Sequence, residues 1–117
     1  MGSVTFAVME SSNDPAVAFA GAYREARDEW GHSGYSGTIC EKDGFVVYPY
    51  PDDLVDWEEL MMTLTRCNSF NQDEDLVGWY GKELARKIAH TFIDKWGPAC
   101  AFEVEPEVWL FCGWASC

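Results

Sequence analysis

Apolar positions recur along the chain in distinct rhythms, and each change of rhythm marks an element. Val4 to Met9 is a short apolar run and predicts a strand. Asn13-Asp14-Pro15 follows with a helix-start signature, a capping side chain and then proline in the first turn. Phe19, Tyr23, Ala26 and Trp30 then repeat at three- and four-residue spacing, which predicts a helix burying that stripe, with Gly31 as its stop. Gly34 and Gly37 bracket an aromatic loop. Thr38 to Glu41 and Phe45 to Tyr48 flank Asp43-Gly44 and read as a hairpin, ended by Pro49 and Pro51. Leu54, Trp57, Met61 and Leu64 predict a second helix over residues 54–66, with Asp52 and Asp53 as caps. After a polar connection, Leu76, Tyr80, Leu84, Ile88 and Phe92 recur every four residues and predict one long helix, stopped by Gly97-Pro98.

The last segment allows a register to be derived. If Glu105-Pro106-Glu107 connects two strands, then Val104 opposes Val108, Phe102 opposes Leu110, and Cys100 opposes Cys112. All six are apolar and share one face, and a slip of one residue would mix the faces. Cys100 and Cys112 are then paired core thiols, since a strand pair holds Cβ atoms too far apart for an unstrained disulfide. The order β-α-β-β-α-α-β-β implies an α+β fold, a mainly antiparallel sheet with helices on one face.

Composition changes the picture in one respect. The chain has 117 residues, enough for one domain spanning 1–117, with 15% aromatic residues and a net charge of −12. Disordered acidic tails lack aromatics, so this charge sits on something folded. It repels phosphate backbones and anionic membranes, which disfavours direct nucleic-acid binding or a membrane location. The start has neither the basic nor the apolar region of an export signal, and the five cysteines form no C-x-x-C. They read as reduced thiols in a cytoplasm.

Reactive chemistry is weakly signalled. His32 and His90 share no metal-ligand spacing with cysteines, so no metal and no cofactor is expected. Nucleotide loops and the nucleophile elbow are missing from the sequence, and no catalytic residue is assigned. A small cysteine-dependent enzyme ranks last among the readings.

The distribution of charge says more. Between Asp43 and Gly81 there are nine acids and a single base, Arg66, a net −8. Helix starts favour carboxylates and account for Asp52, Asp53, Asp73, Glu74 and Asp75. They account less well for Glu58 and Glu59, further into the second helix, and for the lack of interspersed lysine. A one-sided acidic face suits a basic partner, whose lysines and arginines normally hold phosphates. The partner-binding candidates are therefore Asp52, Asp53, Asp56, Glu58, Glu59, Asp73, Glu74 and Asp75. The alternative interface is aromatic. Trp109 and Phe111 alternate with the core side of the last strand and would be exposed on an uncovered sheet face, as in an assembly or regulatory subunit. A homodimer is left open.

The strings GYSGTICEKDGF (Gly34 to Phe45), DKWGPACAF (Asp94 to Phe102) and WLFCGWAS (Trp109 to Ser116) resemble small acidic proteins encoded by tailed bacteriophages and prophages. The resemblance covers the middle and the C-terminal third and carries no catalytic residue over. By analogy of class it implies a non-enzymatic inhibitor of host defence acting in the bacterial cytoplasm. Anti-CRISPR and anti-restriction proteins are such inhibitors, and some of them mimic DNA. The partner so implied is a basic protein or ribonucleoprotein complex, a CRISPR effector first among them.

Overall fold

A computed structural model describes residues 2–30, 37–52, 54–68 and 71–116, apart from the side chain of Trp30. The elements are β1 (Ser3–Ser11), α1 (Pro15–Trp30), a short 3-10 helix (Ile39–Glu41), β2 (Phe45–Val47), α2 (Trp57–Thr65), α3 (Glu74–Tyr80), α4 (Lys82–Ile93), β3 (Ala99–Glu105) and β4 (Val108–Ser116). The expected loop from Gly31 to Ser36, with His32 and Tyr35, lies outside the described residues, as do Asp53 and Cys117. The sheet order is β1-β4-β3-β2. β4 runs antiparallel to both β1 and β3, and β2 runs parallel to β3. The α+β class and the mainly antiparallel sheet are as the sequence predicts.

The layering differs from the expectation of helices on one face. Cys100, Phe102, Leu110 and Cys112 pack under α2, α3 and α4, through Leu60, Leu64, Leu76, Ile88 and Phe92. The intervening residues Ala99, Ala101, Trp109, Phe111 and Ala115 pack with Phe6 and with Ala18 and Ala22 of α1. Successive side chains of a strand point to opposite faces, so α1 covers one face and the other three helices cover the second. The two central strands show the reason. Ala99 to Phe102 and Trp109 to Cys112 are buried at every position, and both alternating sets need cover.

The C-terminal register holds at Cys100↔Cys112 and Phe102↔Leu110. It fails at the turn. Val108 pairs with Glu105 and not with Val104, because an irregularity falls between Glu103 and Glu105. Glu107 has φ 64, and its carbonyl accepts from Ser12 N–H at 2.8 Å. The positive φ is the cause, for it turns the chain more tightly than the predicted three-residue connection. That conformation costs a non-glycine residue about 1–2 kcal/mol, part of which glycine would return as extra freedom when unfolded. Replacement of Glu107 by glycine is therefore expected to stabilise the fold by about 0.5–1 kcal/mol in urea titration. An unchanged or lowered midpoint would count against the strain.

Three further elements depart from the sequence pattern. Thr38 to Glu41 is not a strand. The Thr38 hydroxyl accepts from Cys40 N–H at 3.2 Å and starts the 3-10 helix, a local bond that competes with strand pairing. β2 accordingly has no hairpin partner before it and pairs with β3. The long third helix is two helices, α3 and α4, broken at Gly81 with φ 82, a value glycine adopts without penalty. The second helix begins at Trp57 and not at Leu54, because Asp56 is its cap. α1 starts as predicted, with Asp14 Oδ1 accepting from Ala16 N–H at 2.9 Å.

Lys42, just after the 3-10 helix, is a buried cation, only 1% exposed. Its Nζ donates to the Asp94 carbonyl at 2.8 Å, at the C-terminal cap of α4. A cation suits the carbonyl end of a helix, which gives this buried charge its partner.

Candidate acidic interface

The first acidic cluster is built by the start of α2. Asp56 Oδ1 accepts from Glu58 N–H at 3.0 Å, which uses the capping preference of a short carboxylate. Glu58 and Glu59 are exposed in the first turn, where the helix dipole favours negative charge. The shifted start of α2 thus supplies the structural reason that a helix from Leu54 would have lacked. Asp52 is exposed just upstream.

The second cluster belongs to α3 and is largely committed to the fold. Asp73 caps α3 by accepting from Asp75 N–H at 2.9 Å. Its other oxygen accepts from Arg66 Nε at 2.7 Å. Arg66 Nη2 also stands 3.6 Å from Asp75. The hydrogen bond from Arg66, then that from Asp75 N–H, holds the Asp73 carboxyl below its ordinary range. Arg66 closes the C-terminal end of α2, so this cluster stands a helix length from the first, about 13 Å for nine residues. The eight candidate acids therefore form two groups. In the second, Asp73 and Asp75 are paired with Arg66, and Glu74 is exposed in the first turn of α3.

The fold adds to the first group a residue from a distant part of the chain. Burial, and then the carboxylates of Asp56, Glu59 and Glu105, raise the Tyr50 hydroxyl above its ordinary value. Glu105 lies at the end of β3, so two separate segments bring acids to one tyrosine. Beside it a cleft of about 380 Å³ is lined by residues that include Tyr48, Tyr50, Pro51, Asp52, Glu103 and Trp109. The Tyr48 hydroxyl is shared with Thr91 Oγ1 at 2.7 Å, which anchors that wall on α4. A cleft with aromatic walls and a carboxylate rim can take a lysine or arginine side chain, its stem on the rings and its charge on the acids. Glu105 thus reaches Tyr50 itself and Glu103 the adjoining cleft, a juxtaposition made by the tertiary fold.

The expected exposure of Trp109 and Phe111 is not observed. Phe111 is fully buried and Trp109 is 7% exposed, both under α1. Phe111 makes edge contacts with Phe19 and Phe45 at 5.5 and 5.6 Å between ring centroids. Trp109 Nε1 donates to the Ser12 carbonyl at 3.0 Å. These rings are core, and Trp109 also lines the cleft beside Tyr48 and Tyr50.

The described thiols are poor nucleophiles where burial dominates them. Burial pushes Cys100 up to about 12 and raises Cys112 and Cys67 as well. His90 is exposed on α4. Among the described residues no group of three or more His, Cys, Asp or Glu side chains stands close enough to hold a metal ion. No described helix is long and apolar enough to cross a membrane. Compared with known proteins, the chain matches no family model, no curated protein and no solved structure, so its function has to be argued from the chemistry of this surface.

Proposed function

We propose that this protein is a non-enzymatic inhibitor that binds a basic, nucleic-acid-contacting surface of another protein through the acidic patch around Tyr50. The observation that carries the reading is the convergence of Asp56 and Glu59 from the start of α2 with Glu105 from the end of β3. Asp52, Glu58 and Glu103 extend the same patch, and Glu74 supplies a second point of contact. Carboxylates presented in this way pair with the lysines and arginines that otherwise hold phosphates, and they speed encounter with a basic partner. The phage-like strings favour a host defence complex in the bacterial cytoplasm as the target, with a CRISPR effector as the first to test. The burial of Trp109 and Phe111 removes the exposed ring pair on which the aromatic alternative rests.

The test is affinity capture from a bacterial lysate at about 50 and about 500 mM salt, conditions that differ strongly in screening. The protein is compared with a variant carrying Asp56→Asn, Glu58→Lys and Glu59→Lys. Asparagine keeps the helix cap, so the fold is retained. A captured partner with a basic surface is expected, its affinity falling at least about 100-fold in the variant and falling with salt. If the captured proteins are the same for both chains at both salt concentrations, the acidic patch is not the interface.

A further inference from the structure

The open edge of β1 is a second surface, separate from the acidic patch. β1 is an outer strand of the sheet and pairs with β4 over nine consecutive residues without a register shift. The same register continues to Ser12, whose N–H donates to the Glu107 carbonyl at 2.8 Å. Hydrogen-bonded and non-bonded pairs alternate along an antiparallel ladder. Counting back from Ser12, the even residues of β1 bond to β4. The N–H and C=O groups of Thr5, Ala7 and Met9 then point away from the sheet. Among the described residues no backbone hydrogen bond reaches that edge. Natural edge strands are blunted by lysine, proline, bulges or short length. β1 has none of these, and its single charge is Glu10.

A groove runs beside this edge. It measures about 280 Å³ and lies between β1 and α1, with Phe6, Ala22, Ala26 and Ile39 on its apolar side. Its charges are Glu10, Glu25 and Glu29. α1 separates its charges, for Arg24 and Arg27 line a different depression, with Phe19 and Tyr23. Burial, and then the neighbouring Glu25 carboxyl, raise Glu10 above its ordinary value.

We infer that the β1 edge and its groove receive an extended basic peptide segment of a partner protein as a fifth strand. Its backbone pairs with Thr5, Ala7 and Met9. Alternate side chains enter the groove, apolar ones near Phe6 and a lysine or arginine at Glu10, Glu25 and Glu29. Strand addition of this kind takes affinity from the main chain and selectivity from alternate side chains. The charge of the groove selects a basic strand. It also disfavours a second copy of this chain, whose β1 edge would bring its own Glu10.

The test uses a blocked peptide that alternates threonine with valine or lysine. One control has glutamate for lysine, and another has N-methylated backbone positions on the pairing edge. Amide hydrogen exchange is followed by NMR. Binding of the lysine peptide is expected to protect Thr5, Ala7 and Met9 amides, with the glutamate and N-methyl peptides at least about tenfold weaker. Glu25→Lys, an exposed change, should remove the preference for lysine. Ala7→Pro should remove binding, since the N–H it deletes is not in the β4 ladder. D56N/E58K/E59K should bind the peptide normally, which separates this site from the acidic patch. Three results would overturn the inference: no binding by the lysine peptide, binding without protection at Thr5, Ala7 and Met9, or pairing of two β1 edges in the free protein.

Discussion

In reducing buffer the protein is expected to lose its fold between pH 9 and about pH 11, well before its backbone is chemically at risk. The cause is a set of acids that the core keeps protonated. Cys100 rises from an ordinary 9.0 to about 12 because burial removes the solvent its thiolate needs, and Lys42 only partly offsets this. Cys112, its cross-strand partner, is raised by burial and then by Cys100. Tyr80 is raised from 10.0, first by burial, and its hydroxyl is enclosed without a hydrogen-bond partner among the described residues. Below pH 9 these groups are protonated in both states and cost nothing. Above it the unfolded chain releases protons that the folded chain retains, so stability falls as pH rises. Cys100 alone accounts for about 4 kcal/mol by pH 12, and a domain of this size has about 5–15 kcal/mol in total.

Lys42 acts with the opposite sign. Its burial lowers its affinity for a proton, despite the attraction of Asp94. The unfolded chain therefore binds the extra proton in the window just below 10.5, and rising pH relieves that cost. One lysine against two thiols and a tyrosine leaves the net slope downward, and the net charge of −12 steepens it as further groups ionise. Circular dichroism against pH measures the slope. C100A/C112A, less stable at neutral pH because of the cavity, should show a clearly shallower fall above pH 9. Equal slopes for the two chains would mean that the thiols do not drive alkaline unfolding.

The same thiol pair shows what the sequence could disclose. Cys100 opposite Cys112 was legible because an antiparallel register shifted by one residue exchanges the two faces, and only one choice keeps Phe102, Leu110 and both cysteines together. Val104 was misplaced because the positive φ of Glu107 is a property of the turn and leaves no mark in the alternation. The second helical layer was written in the strands, where Ala99 to Phe102 and Trp109 to Cys112 are apolar at every position, a sign of burial on both faces. The preference for a one-sided sheet masked that sign. Gly81 was visible inside the four-residue repeat, but a stripe that resumes in register at Leu84 hides a break in the backbone. At the candidate site the acids of α2 were legible as a cluster. Glu105 joins them from about fifty residues away in sequence, through sheet packing that no local pattern encodes.

Replacement of Phe111 by alanine is expected to cost about 3–5 kcal/mol, enough to unfold much of the population of a marginal domain. The ring is fully buried and stands in a three-ring cluster, with Phe19 and Phe45 themselves 5.2 Å apart. Phe45 comes from β2, Phe111 from β4 and Phe19 from α1, so one deletion loosens three elements. Urea titration should show a lower midpoint with an unchanged slope, and a loss under about 1 kcal/mol would mean that the ring is not packed in this way. Trp109 gives the sharper comparison. Trp109→Phe keeps most of the apolar ring and removes the Nε1–H bond to the Ser12 carbonyl, so the expected loss is about 1 kcal/mol. The folded variant should then still hold its partner, because phenylalanine keeps an aromatic ring in the cleft lining and no carboxylate is changed. A variant that folds normally yet loses its partner would show that the cleft holds its guest through the full Trp109 ring and not through the carboxylates alone.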